Sequence, residues 1–114
     1  MANSGHARLI PLLYLNYHEC LAALFQNVDV NIRLHAVTDS QARNNAIQEH
    51  FEARVATRIA VQEVALIGPT RMSDLAHEAE SLGDISDDAS REGFSLTFAR
   101  LITAMRVDLG EPLE

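Results

Sequence analysis

Asp74, His77 and Glu78 come closer than any other residues here to a metal-ligand set. On a helix, Asp74 would share a face with His77 at i,i+3 and with Glu78 at i,i+4. Di-iron carboxylate bundles use that spacing, but they repeat it on a second helix and add two further glutamates. This chain has no second copy. The remaining histidines are His6, His18, His35 and His50. His18-Glu19, Glu49-His50 and His77-Glu78 are adjacent pairs, and helical neighbours point about 100° apart, so such pairs do not chelate one ion. Asp84, Ser86, Asp88, Ser90 and Glu92 place oxygens at alternate positions, as a calcium loop does. However, Ala89 stands where the sharp turn needs glycine, and Ser95 stands where a bidentate glutamate closes the loop. The expectation is no metal and no cofactor.

Nucleophilic chemistry has little to work with. Cys20 is the single cysteine, and His18, two residues away, would sit on the opposite side of a helix. A cysteine among leucines behaves as a small hydrophobe. Gly-x-Ser-x-Gly, dinucleotide-type and phosphate-cradling glycine loops are absent. The expectation is a protein that is not an enzyme. A lone cysteine allows no internal disulfide, which fits a reducing, cytoplasmic setting. Arg8 and the apolar run Leu9 to Leu15 imitate a signal peptide, but Pro11 interrupts the run and Asn16, His18 and Glu19 follow it without a cleavage site. No apolar run is long enough to span a bilayer.

Charge is where this chain departs from the ordinary. Between Ser73 and Glu92, seven carboxylates (Asp74, Glu78, Glu80, Asp84, Asp87, Asp88 and Glu92) face a single Arg91, giving −6 of a total −7. Such a segment repels nucleic acid and anionic membrane, and attracts a basic protein surface. These seven residues are the candidate partner-binding set. All nine basic residues are arginine, the side chain suited to bidentate pairing with carboxylates. Arg54 and Arg58 stand one helical turn apart. With Arg33 they form an alternative set, for a small anionic ligand at a subunit interface.

Helices must position these groups. Ile10, Leu13, Tyr14, Tyr17, Leu21, Leu24 and Val28 step by three and four, and Pro11 suits only a first turn, so a helix is expected to start there. Leu12, Leu15, Ala22 and Phe25 lie off that face, which leaves the helix apolar over more than half its circumference. From Val28 to Val37 the period changes. Val28, Val30, Ile32, Leu34 and Ala36 alternate with polar residues, which favours a short strand. Its partner would be its own copy in a dimer. The competing reading is a helix, with Asp29 and Arg33 pairing at i,i+4.

Thr38, Asp39 and Ser40 offer N-caps for a long helix from Ser40 to Ile67, with a stripe of Ala46, Ile47, Phe51, Val55, Ile59, Ala60, Val64 and Ile67 that ends at Gly68-Pro69. Ser73 would cap a shorter helix to Leu82. A last helix is expected from about Asp87 or Ser90 to Leu109, with Phe94, Phe98, Leu101, Ile102 and Met105 on one face. Val30-Asn31-Ile32-Arg33-Leu34, followed by a capped helix, resembles the strand of ribbon-helix-helix repressors over about ten residues. That resemblance implies Asn31, Arg33 and His35 as readers of a DNA groove. The unbroken Ser40–Ile67 segment and the negative charge depart from the pattern.

The fold expected is a mainly α single domain of about four helices spanning residues 9–110, with frayed segments 1–8 and 111–114 and one short strand at about 29–36. The function expected is a non-enzymatic, homodimeric interaction module. Its acidic segment would dock a basic surface of a nucleic-acid-handling complex, as small phage or mobile-element inhibitors do. The alternatives are the anion-binding oligomer and the ribbon-type DNA-binding regulator.

Overall fold

A computed structural model describes residues 2–84 and 88–110, and the side chains of 11–84 and 88–110. These residues form four α-helices: α1 (Ala2–Ala36), α2 (Ser40–Ile67), α3 (Thr70–Ser81) and α4 (Asp88–Asp108). As positions on α1 advance, their partners on α2 recede: Ala23 meets Thr57, Asn31 meets His50 and Arg33 meets Glu49. The two helices are therefore antiparallel. α3 turns back along α2, and α4 turns back along α3 to bring Asp108 beside Tyr17. α4 packs on α3 and grazes α1, while the α2 and α4 backbones do not come close to each other.

The molecule is elongated, 60 × 25 × 20 Å, with a radius of gyration of 15.9 Å, against about 13 Å for a compact chain of this length. The length comes from α1. α2 ends at Gly68, level with Tyr17, and at about 1.5 Å per residue the turns of α1 before Tyr17 run on for roughly 20 Å. Pro11 lies inside this helix, where the sequence placed the helix start. A proline there forfeits one backbone hydrogen bond and crowds the carbonyl a turn earlier.

The strand expected at about 29–36 is not formed, and those residues are the last turns of α1. Leu13, Tyr17, Cys20, Leu24, Val28 and Asn31 are all buried, so one face continues unbroken through the segment that alternates. Arg33 Nε lies 3.3 Å from Asp29 Oδ2, which is the helical pairing. Extending a formed helix costs little, whereas a strand here lacks a partner in its own chain. The ribbon resemblance loses its strand with this change, and Asn31 is buried rather than presented outward.

α2 also turns a different face inward. Ala46, Ala53, Thr57, Ala60, Val61 and Val64 are buried, whereas Ile47, Phe51, Val55 and Ile59 are exposed. The buried set is small, so α1 and α2 can approach closely. The Thr57 hydroxyl lies 2.7 Å from the Ala53 carbonyl of its own helix and 3.1 Å from the Ala23 carbonyl of α1. Asp39 caps α2 by accepting a hydrogen bond from the Ala42 N–H at 2.9 Å. α3 begins earlier than Ser73, after Pro69, which caps with no side chain. The core is completed by Met72, Ala76 and Ala79 from α3 and by Phe94, Leu101, Ala104 and Met105 from α4.

Candidate functional site: a polar-floored groove between α2 and α3

A groove of 690 Å³ opens between α2, the C-terminal end of α3 and the second half of α1. α2 supplies one wall, with Phe51, Val55 and Ile59 on the apolar side and Arg54 and Arg58 beside them. The i,i+4 spacing read from the sequence does bring both arginines into one site. Arg58 is committed in part: its Nε lies 3.3 Å from Glu80 Oε2 on α3. Arg54 has no ion-pair partner among the described residues. Arg33, the third member of that set, does not line the groove. It is held on the surface of α1 and α2 by Asp29 at 3.3 Å and Glu49 at 3.2 Å.

Two asparagines of α1 form the floor. Asn27 is 7% exposed and Asn31 is 2% exposed, and the amide oxygen of each has no hydrogen-bond partner among the described residues. Asn31 Nδ2 lies 3.0 Å from Asp84 Oδ1 and 3.1 Å from His50 Nε2. A carboxylate oxygen can only accept, so Asp84 fixes which end of the Asn31 amide faces it. The other amide hydrogen then reaches His50 Nε2 as an acceptor, which places the imidazole proton on Nδ1. At the α3 rim, His77 Nδ1 lies 2.8 Å from the Ser73 carbonyl, which can only accept, so His77 carries its proton on Nδ1. Gly83 closes the floor: a Cβ there would lie 2.7 Å from Asn27 Nδ2.

The acidic residues part company. Glu80 turns inward to Arg58, and Asp84 is engaged by Asn31 and lies 4.0 Å from His35. Asp74, Glu78, Asp88 and Glu92 are exposed and make no ion pair among the described residues. Asp87 lies outside the described residues. Among the described residues, no three histidine, cysteine or acidic side chains converge as metal ligands. No described helix is long and apolar enough to cross a membrane.

Cys20 is sealed in the core. Burial, with the Glu80 charge behind it, pushes its thiol up to about 12, so no thiolate forms near neutral pH.

Sequence reasoning passed over Asn27 and gave Asn31 only as an outward reader of a DNA groove. The signal was present, since both fall on the face of Leu13, Tyr17, Cys20 and Leu24, where polar residues interrupt an apolar run. Reading 28–37 as a strand hid it for Asn31. No known protein family, curated protein or solved structure matches this chain.

Proposed function

We propose that this protein is a non-enzymatic interaction module that pairs with a second copy through the outer face of α1 and presents its exposed carboxylates to a basic partner. One observation carries the pairing. Tyr14, Leu15 and Phe25 are 58%, 52% and 62% exposed on the side of α1 that faces away from the core. Exposed large apolar side chains spread over the outer side of one helix mark a contact surface. The same helix overhangs the bundle by several turns that α2 ends too early to accompany, and an unaccompanied helix of that length is marginal in water. A second α1 laid antiparallel would cover both features.

Light scattering over a concentration series tests this. A dimer mass for the wild type and a monomer mass for Leu15→Glu/Phe25→Glu supports it. A concentration-independent monomer mass for the wild type ends it.

The acidic docking rests on Asp74, Glu78, Asp88 and Glu92, the carboxylates of the acidic segment that make no ion pair among the described residues. Docking of this kind gives fast association that weakens steeply with salt. Immobilised wild type should retain a basic protein at low salt. The variant Asp74→Asn/Glu78→Gln/Asp88→Asn/Glu92→Gln should release it. A partner held equally by both chains, or held unchanged at high salt, is not docked by these residues.

A further inference from the structure

We propose that the groove between α2 and α3 binds a small organic anion: a carboxylate, sulfonate or phosphate on an apolar body that also carries an N–H or O–H. Three observations carry this, and none depends on the outer face of α1. The first is charge. Formally, Arg54 and Arg58 balance Glu80 and Asp84. Arg58 is engaged by Glu80 at 3.3 Å, whereas Asp84, met by the neutral Asn31 amide at 3.0 Å, keeps its charge on a side chain that is 83% exposed to screening water. Arg54 makes no ion pair among the described residues, and its guanidinium is a planar fork made for bidentate anion pairing. His50 and His77 face the same space and add no negative charge.

The second observation is the apolar wall. Phe51, Val55 and Ile59 lie along one side of the groove and are exposed as it stands. A bare inorganic ion would leave them so. A ligand with an apolar body would cover them while its anionic end met Arg54.

The third is the floor. Asn27 and Asn31 line the groove, both are more than nine-tenths buried, and neither amide oxygen has a donor among the described residues. Buried acceptors without donors are rare in folded proteins. A ligand N–H or O–H reaching the floor would supply the missing hydrogen. The volume of 690 Å³ lies within the range of sites for small organic molecules.

The dye 8-anilinonaphthalene-1-sulfonate has all three features, and N-phenyl-1-naphthylamine is the same molecule without the sulfonate. Fluorescence titration of both dyes tests the proposal. It is run on a Phe25→Glu background, so that dye on the outer face of α1 does not count. The sulfonated dye should bind about tenfold more tightly than the neutral one, and Arg54→Gln should abolish that preference. Arg33→Gln, away from the groove, should leave it intact. Asn27→Leu should weaken the sulfonated dye severalfold without lowering the melting temperature, because it removes an unpaired acceptor and keeps the bulk. Equal affinity for the two dyes, or a preference that survives Arg54→Gln, would overturn the proposal. So would an Asn27→Leu chain that binds as the wild type does.

Discussion

Tyr17 donates its phenolic hydrogen to Asp108 across 2.6 Å, joining the first helix to the last turn of the fourth. Because α4 packs chiefly on α3 and only grazes α1, this bond, with the buried Leu13, Leu101 and Met105 of the shared core, ties the end of α4 to α1. Burial raises the Tyr17 phenol above its ordinary value, and the hydrogen bond to Asp108 and its charge add to the effect.

Tyr17→Phe should therefore cost about 1–2 kcal/mol, the worth of a partly buried bond to a charged acceptor that is left half-buried. Urea denaturation gives the total. Amide exchange gives the location: Met105 to Leu109 should exchange faster while the α1–α2 pair is little changed. A uniform effect along the chain would mean that the bond is not what ties the end of α4 to α1.

Stability should fall in alkali. Both Cys20 and Tyr17 hold their protons more tightly folded than unfolded. As pH rises, the unfolded chain gives up its protons first, so folding is penalised progressively. The contribution is whole below about pH 9, near the ordinary thiol value of 9.0, and is lost as pH climbs through the folded Cys20 value of about 12. At about 1.4 kcal/mol per unit of separation, the loss is on the order of a few kcal/mol. Cys20→Ala should flatten the slope of urea midpoint against pH between about 9 and 11. A slope unchanged in that variant would place the alkaline sensitivity elsewhere.

Gly68→Ala should be among the costlier single-methyl changes in the chain. A Cβ at Gly68 would lie 2.9 Å from the Val64 carbonyl oxygen and 3.2 Å from the Tyr17 hydroxyl. The first of these is backbone and cannot swing away. About 1–3 kcal/mol is expected, read by thermal or urea melting. Gly110→Ala has open space around it but a φ of +79°, so its cost should stay near 1 kcal/mol.

Arg33→Ala should be close to neutral, within about 0.5 kcal/mol, although Arg33 touches two carboxylates. Both pairs are about half exposed, at 3.3 Å and 3.2 Å, where water and salt screen them. A loss above about 1 kcal/mol would show that Arg33 does more than decorate the α1–α2 seam.

Much of the fold was legible because it rests on local rules. Asp39 caps α2, and Gly68 with Pro69 ends it, as turn chemistry requires. The face of α4 carrying Phe94, Leu101 and Met105 is the one its spacing marks. The failures arise where two rules compete. Val28 to Ala36 satisfies a two-residue and a helical period at once, and only the buried face inherited from Leu13 to Leu24 decides between them. On α2 the larger apolar residues look like the core. The packing distance set by Ala53, Thr57 and Ala60 against Ala23 instead favours the small ones, a choice made by the partner helix and not by α2 itself. The groove was half legible: Arg54 and Arg58 follow from one-turn spacing, but its asparagine floor depends on the helical register of a segment that reads as a strand.

The overhang of α1 and the return of α4 to Tyr17 also decide where anything joined to the described segment must leave it. Ala2 lies beyond Tyr17 and Gly110 lies near it, while the groove floor at Asn31 is about 20 Å along α1 in the other direction. A purification tag or surface tether placed before Ala2 would emerge from one pole of the molecule. The opposite pole, with Arg54 and the groove mouth, would stay clear, so immobilised chains should titrate as freely as those in solution.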